Sequence, residues 1–169
     1  MIGRTGVLVV LAATSLSAQD GPSGDAPWRS RLDLGSTLLR RDATGASDRG
    51  PTAIARFGRD LTPSGAVRGL VGLGGTVAGD GALLLDAGLE APMSAGLVVR
   101  PIGMLGVGAL VGSGVTSSYA RLGVGLSAPV ARRVSVSAAY HMGFSRLGRG
   151  PHWYLVGVEW RSASRPRPL

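Results

Sequence analysis

The chain has 169 residues, 28 of them glycine, and its 18 basic residues outnumber 10 acidic ones for a formal charge of +8. That length suits one domain, and the absence of cysteine excludes a disulfide framework and any thiolate metal site. The basic residues are all arginine and lie scattered among acids, without a basic cluster interleaved with aromatics, so the charge does not point to nucleic acid.

Met1–Ala18 has the form of a secretory signal. Arg4 gives the positive start, Val7–Ala13 a short apolar core, and Ser15-Leu16-Ser17-Ala18 a small-residue exit cleaved after Ser17 or Ala18. The apolar run is too short to cross a bilayer as a helix, which points to export in a bacterium. Residues 19–28, with Gly21, Pro22, Ser23, Gly24 and Pro27, read as a flexible lead-in.

From Arg29 to Arg161 the chain alternates with a period of two, segment after segment, each bounded by turn residues. The first, about Arg29–Arg40, sets Leu32, Leu34 and Leu38 against Arg31, Asp33 and Gly35, and a polar loop Arg41–Gly50 follows. The second, about Pro51–Leu61, sets Ala53, Ala55, Phe57 and Leu61 against Arg56, Gly58 and Asp60; Arg59 on the apolar file fits only near a membrane interface. After Thr62-Pro63-Ser64-Gly65, the third, about Ala66–Val77, sets Val67, Val71, Leu73 and Val77 against Arg68, Gly72, Gly74 and Thr76. Ala78–Gly81 is a short loop. The fourth, Ala82–Glu90, sets Leu83, Leu85, Ala87 and Leu89 against Asp86, Gly88 and Glu90.

Ala91–Ser94 turns the chain into the fifth segment, about Ala95–Leu110. It sets Leu97, Val99, Leu105 and Val107 against Arg100, Gly106 and Gly108, and Pro101, which cannot donate to a ladder, predicts a bulge or bend. After the Gly- and Ser-rich Val111–Ser117, the sixth, about Ser118–Ala128, sets Ala120, Leu122, Val124 and Leu126 against Tyr119, Arg121, Gly123, Gly125 and Ser127. Pro129–Arg132 turns into Arg133–Phe144, where Val134, Val136, Ala138, Tyr140, Met142 and Phe144 oppose Ser135, Ser137, Ala139, His141 and Gly143. The loop Ser145–Pro151 leads to Trp153–Arg161, with Tyr154, Val156, Val158 and Trp160 opposite Gly157 and Glu159. Residues 162–169 read as a disordered basic tail.

Eight such segments predict an all-β fold, an eight-stranded antiparallel up-and-down transmembrane β-barrel over residues 29–161. Apolar files would face lipid, and glycine, serine and charge the lumen. The predicted lumen charge network is Arg31, Asp33, Arg56, Asp60, Arg68, Asp86, Glu90, Arg100, Arg121 and Glu159, and an interior just wide enough for side chains favours ion pairing over an open conduit. Trp28, Trp153, Tyr154 and Trp160 are expected as interface anchors. Loops one, three and four are expected to be longer than the turns carrying Pro63, Pro92 and Pro129, which would put the turns on the periplasmic side. The alternative is a soluble periplasmic barrel with its apolar file turned inward around a ligand.

Three constellations invite chemistry. His141 with Ser145 suggests nucleophile and base, His141 with His152 a metal pair without a third ligand, and Gly123-x-Gly125-x-x-Ala128 a dinucleotide turn followed by Pro129 and a strand instead of a helix. No catalytic residue, metal or cofactor is expected from them. In strand number, glycine-rich alternation and an aromatic-ended last strand, residues 29–161 resemble the small outer-membrane proteins of the OmpX, OmpW and opacity-protein type. That resemblance implies a structural, adhesive or small-solute role. The chain departs from the lipid A deacylases of the PagL type, which place serine two residues after the histidine, where this chain has Gly143. The expectation is a non-enzymatic barrel of the bacterial outer membrane, in contact with its lipid and inserted by the barrel-assembly machinery, with an unspecified surface ligand. A narrow transporter for small apolar solutes is the alternative within the membrane.

Overall fold

A computed structural model describes residues 28–40, 47–62, 64–93, 97–112, 115–145 and 150–162. The expected signal, residues 19–27 of the lead-in, and the tail beyond Ser162 lie outside the described residues. Eight strands follow one another: β1 (Trp28–Arg40), β2 (Ser47–Asp60), β3 (Arg68–Thr76), β4 (Ala82–Pro92), β5 (Arg100–Gly112), β6 (Val115–Ala131), β7 (Val134–Ser145) and β8 (His152–Arg161). Each pairs antiparallel with its neighbours in sequence, and β8 pairs with β1, so the sheet closes with no edge. The expected eight-stranded up-and-down barrel is the fold.

The register fixes the barrel's proportions. Partners followed from Trp28 through Arg59, Gly69, Leu89, Leu105, Leu122, Met142 and His152 arrive at Leu38, ten residues further along β1. A stagger of that size over eight strands tilts them by about 40° to the axis and leaves an interior that side chains fill.

The two faces separate by parity. Leu34, Val71, Leu85, Val107, Leu122, Val124 and Val156 stand exposed on the outside, while Arg31, Asp33, Arg56, Asp86, Glu90 and Glu159 are buried inside. The soluble arrangement, with the apolar file inward, is therefore not adopted: this outer surface suits hydrocarbon and would be costly in water. The interior is layered. Toward the end away from the chain termini, Ile54, Leu84, Leu110, Tyr119, Trp153 and Leu155 pack together, and the buried Thr37 and Thr52 hydroxyls bond to each other. Charge fills most of the rest, beside a smaller buried cluster of Ile102, Met104 and Ala139 toward the end that holds the termini.

Several boundaries differ from those expected of the sequence. β2 begins at Ser47, so Asp48 and Gly50 belong to the strand and not to the loop. β5 begins at Arg100, leaving Leu97 and Val99 ahead of it. Pro101 causes no bulge, because it is the second residue of its strand and pairs in register with Leu126; the register instead shifts between Pro129 and Ala131 on β6. The contrast of long and short connections also fails. Toward the termini the links are 61–67, 93–99 and 132–133; at the other end they are 41–46, 77–81, 113–114 and 146–151. The Gly- and Ser-rich third loop is mostly hairpin, since Leu110, Val111 and Gly112 pair with Ser117, Thr116 and Val115. Link 77–81 is tight because Gly79 and Gly81 take φ of 64° and 81°, which other residues resist.

Candidate functional site

Polar groups and glycines recur along the inner files, and the glycines make room for the long side chains beside them. A Cβ on Gly157 would collide with Asp33 Oδ1 and lie 2.9 Å from Arg31 Nε. A Cβ on Gly108 would occupy the place of the Tyr119 ring, whose hydroxyl donates across β5 to the Leu85 carbonyl at 3.2 Å.

Into that space five arginines and five carboxylates fold as one alternating chain. Arg29 holds Asp60 through Nε at 3.0 Å and Nη2 at 2.8 Å, and donates Nη1 to Glu159 Oε1 at 2.7 Å. Arg68 reaches Asp60 at 3.4 Å, Glu90 Oε1 at 2.9 Å and Glu159 at 3.7 Å. Glu90 turns its other oxygen to Arg31 Nη1 at 2.9 Å, and Arg31 Nε donates to Asp33 at 2.6 Å. The second oxygen of Asp33 accepts from Arg56 Nη1. Arg56 and Arg121 divide Asp86 between them, Arg56 Nη2 on Oδ2 at 2.8 Å and Arg121 Nη2 on Oδ1 at 2.7 Å. Beyond Arg121 the chain ends on His141 Nδ1 at 2.8 Å. Since a guanidinium only donates, Nδ1 accepts and the ring proton sits on Nε2.

The links cross the lumen as well as run along it, joining β1 to β4 through Arg31 and Glu90, and β4 to β6 through Asp86 and Arg121. Burying so many charges is tolerable only because every carboxylate oxygen named has a donor, and charge-assisted bonds of this length are the strong ones.

The structure thus brings together Arg31, Asp33, Arg56, Asp60, Arg68, Asp86, Glu90, Arg121 and Glu159. It leaves out Arg100, which has the inner parity but sits at the first position of β5, where the lumen ends; it is exposed and donates to the Leu97 carbonyl at 3.3 Å. It adds Arg29, His141 and Arg161, the last 3.8 Å from Glu159. Their parity was readable: Arg29 alternates with Arg31, and His141 with Ser137 and Ala139.

Among the aromatics, Trp28, Tyr154 and Trp160 point outward, but Trp153 does not. It is 2 % exposed and packs on Tyr119 with ring centroids 5.1 Å apart. The physical reason is parity: Trp153 shares the inner file with Leu155, Gly157 and Glu159. The apolar inner residues Ile54, Leu84 and Leu110 were also not distinguishable in the sequence, because inside runs such as Leu83-Leu84-Leu85 the inner member looks like its neighbours.

The constellations that invite chemistry do not assemble. His141 and Ser145 lie four residues apart on one strand, roughly 13 Å along it, beyond the reach of a proton transfer. His141 faces the lumen, whereas His152 bonds Tyr140 at 2.6 Å on the outer face. Among the described residues no group of three metal-ligating side chains gathers.

No family model matches the chain, and no characterised protein sequence matches it. Solved structures do. Neisserial surface protein A superposes with a TM-score of 0.59 at 17 % identity, over 85 % of this chain and 100 % of the other. The N-terminal β-barrel domain of Pseudomonas aeruginosa OprF gives 0.61 at 14 % identity, over 80 % and 97 %. Ail, the attachment invasion locus protein of Yersinia pestis, solved with the heparin analogue sucrose octasulfate, gives 0.52 at 12 % identity, over 82 % and 100 %. At these identities the likeness concerns the fold, and the chain has the fold of the small eight-stranded outer-membrane barrels.

Proposed function

We propose that the chain is an integral barrel of the bacterial outer membrane, exported with a cleaved signal, whose role is non-enzymatic: support of the envelope or contact at the cell surface. The observation that carries this reading is the pairing of an exposed apolar outer face with a closed sheet and an ion-paired interior. In hydrocarbon every backbone N–H and C=O needs an internal partner, and closure supplies it. Lipid is then the partner along the whole outer face, and the barrel-assembly machinery the route to it, with the alternating β8 presenting Tyr154, Val156, Val158 and Trp160. Charge bridges across the lumen argue against the transporter reading, since an apolar solute would have to displace buried ion pairs.

The test is expression in an outer-membrane host followed by fractionation and a denaturing gel run with and without boiling. Protein in the membrane fraction that migrates faster unboiled is the expected result. Recovery from the periplasm without detergent would remove the membrane assignment.

A further inference from the structure

At the barrel end that holds the chain termini, the lumen opens into a pocket of about 100 Å³. Five arginines line it: Arg68 from β3, Arg100 from β5, Arg132 and Arg133 from the turn after β6, and Arg161 from β8. No carboxylate does so among the described residues. The acids closest along the ion chain, Asp60, Glu90 and Glu159, are already held by Arg29, Arg31 and Arg68. Arg100, Arg132 and Arg133 are exposed. None of the three makes an ion pair with a described residue, in contrast to Arg31, Arg56 and Arg121 deeper in the lumen. Arg161 only grazes Glu159, at 3.8 Å. Arg68, at the inner end, is 8 % exposed, and its Nε makes no hydrogen bond. The hydroxyls of Ser127 and Ser135 complete the polar lining.

Deeper in the barrel every cation has its carboxylate; at this mouth five arginines border one small space with no carboxylate among the described lining residues. Guanidinium groups gathered around one space repel one another unless an anion lies between them, and their planar forks match the oxygens of a phosphoryl group. A carboxylate offers two oxygens to such a cluster, and a phosphate monoester three on a compact tetrahedron. We propose that this mouth is a binding site for a phosphoryl group, carried either by a soluble phosphorylated compound or by a phospholipid headgroup. The site depends on the barrel alone and goes beyond the envelope role.

The test uses the full chain, folded in lipid-free dodecyl maltoside and checked for closure by its migration without boiling. Inorganic pyrophosphate and, separately, dihexanoyl phosphatidic acid, a lipid phosphomonoester, below its micellar concentration are titrated at fixed ionic strength. Saturable binding of at least one probe is expected. It should weaken at least tenfold in the paired variant Arg100→Gln with Arg132→Gln, and be unchanged in Arg59→Gln, a cation at the same end that does not line the pocket. Binding of pyrophosphate assigns a soluble phosphorylated ligand, and binding of the lipid alone assigns the headgroup. If the glutamine pair does not close, Arg100→Lys with Arg132→Lys takes its place. That pair keeps the charge but loses the forks, and should bind at least threefold more weakly. No saturable binding of either probe, undiminished binding in the paired variant, or equal weakening by Arg59→Gln overturns the proposal.

Discussion

Asp86 is the residue on which the interior turns, because it is the carboxylate shared by the two arginines deepest in the lumen, Arg56 and Arg121. Arg56 keeps Asp33 as a second partner, but Arg121 has no other carboxylate among the described residues, only the ring nitrogen of His141. Asp86→Ala would therefore leave a buried guanidinium uncompensated, at a cost of about 3–5 kcal/mol. Urea unfolding of the detergent-folded barrel, followed by tryptophan fluorescence, measures it, and a loss under 1 kcal/mol would show that the charges are solvated. The glycines make a second comparison at this scale. Gly157→Ala forces a methyl into the Asp33–Arg31 contact and should cost about 1–3 kcal/mol, as overpacking does. Gly75→Ala, where the nearest atom to a new Cβ is the Ala82 carbonyl oxygen at 3.5 Å, should be close to neutral. Most of this charged chain was legible from alternation alone, since Arg31, Asp33, Arg56, Asp86 and Glu90 sit on the parity opposite the outward apolar residues such as Leu34, Phe57 and Leu85. What alternation cannot supply is height along the barrel axis, which is why Arg100 shares the parity of the network yet lies at its mouth.

Strands were the most legible elements, because a two-residue period repeated eight times between turn residues fits a sheet and does not fit a helix. Their ends were not. Pairing continues wherever a neighbour offers a ladder, so β6 runs from Val115 through Pro129 to Ala131 although its alternation is clear only over the middle. Aromatics near strand ends are ambiguous for the same reason: both an interface girdle and an inner plug place them there, and only parity separates Trp153 from Trp160. That separation has a measurable consequence. Trp153→Ala empties a buried site against Tyr119 and Leu155 and should cost about 3–5 kcal/mol, whereas Trp160→Ala, on an exposed outer position, should cost far less in micelles. Depth makes a further contrast along β6. Val124, at mid-strand on the outer face, would carry a charge to the middle of the apolar band, so Val124→Arg should lose about 2–4 kcal/mol in a bilayer. Val130→Arg, near the terminal rim, should lose about 0–1 kcal/mol. Refolding titrations into phosphatidylcholine vesicles would compare the two, and equal losses would mean that the outer face does not meet hydrocarbon.

At the scale of the whole barrel, the question is whether the lumen conducts. Eight strands staggered by ten residues enclose a space that side chains fill, and here the filling differs along the axis. One half is packed with Ile54, Leu84, Leu110, Tyr119, Trp153 and Leu155, and the other is strung with ion pairs beside a smaller cluster of Ile102, Met104 and Ala139. An ion entering from the end away from the termini would meet an apolar layer first and then carboxylates already neutralised by arginine. Each half alone obstructs passage by a different cost, hydration loss in one and displacement of buried pairs in the other. The barrel should therefore insert into planar bilayers without a sustained open-pore current. Thinning the apolar layer with Trp153→Ala and Leu110→Ala together should not open it, because the Arg31–Glu90 and Arg121–Asp86 bridges still span the lumen below. A steady current in the unaltered protein would refute the packed interior. A current appearing only in the doubly truncated variant would mean that the apolar layer is the whole barrier and that water already threads the charged half.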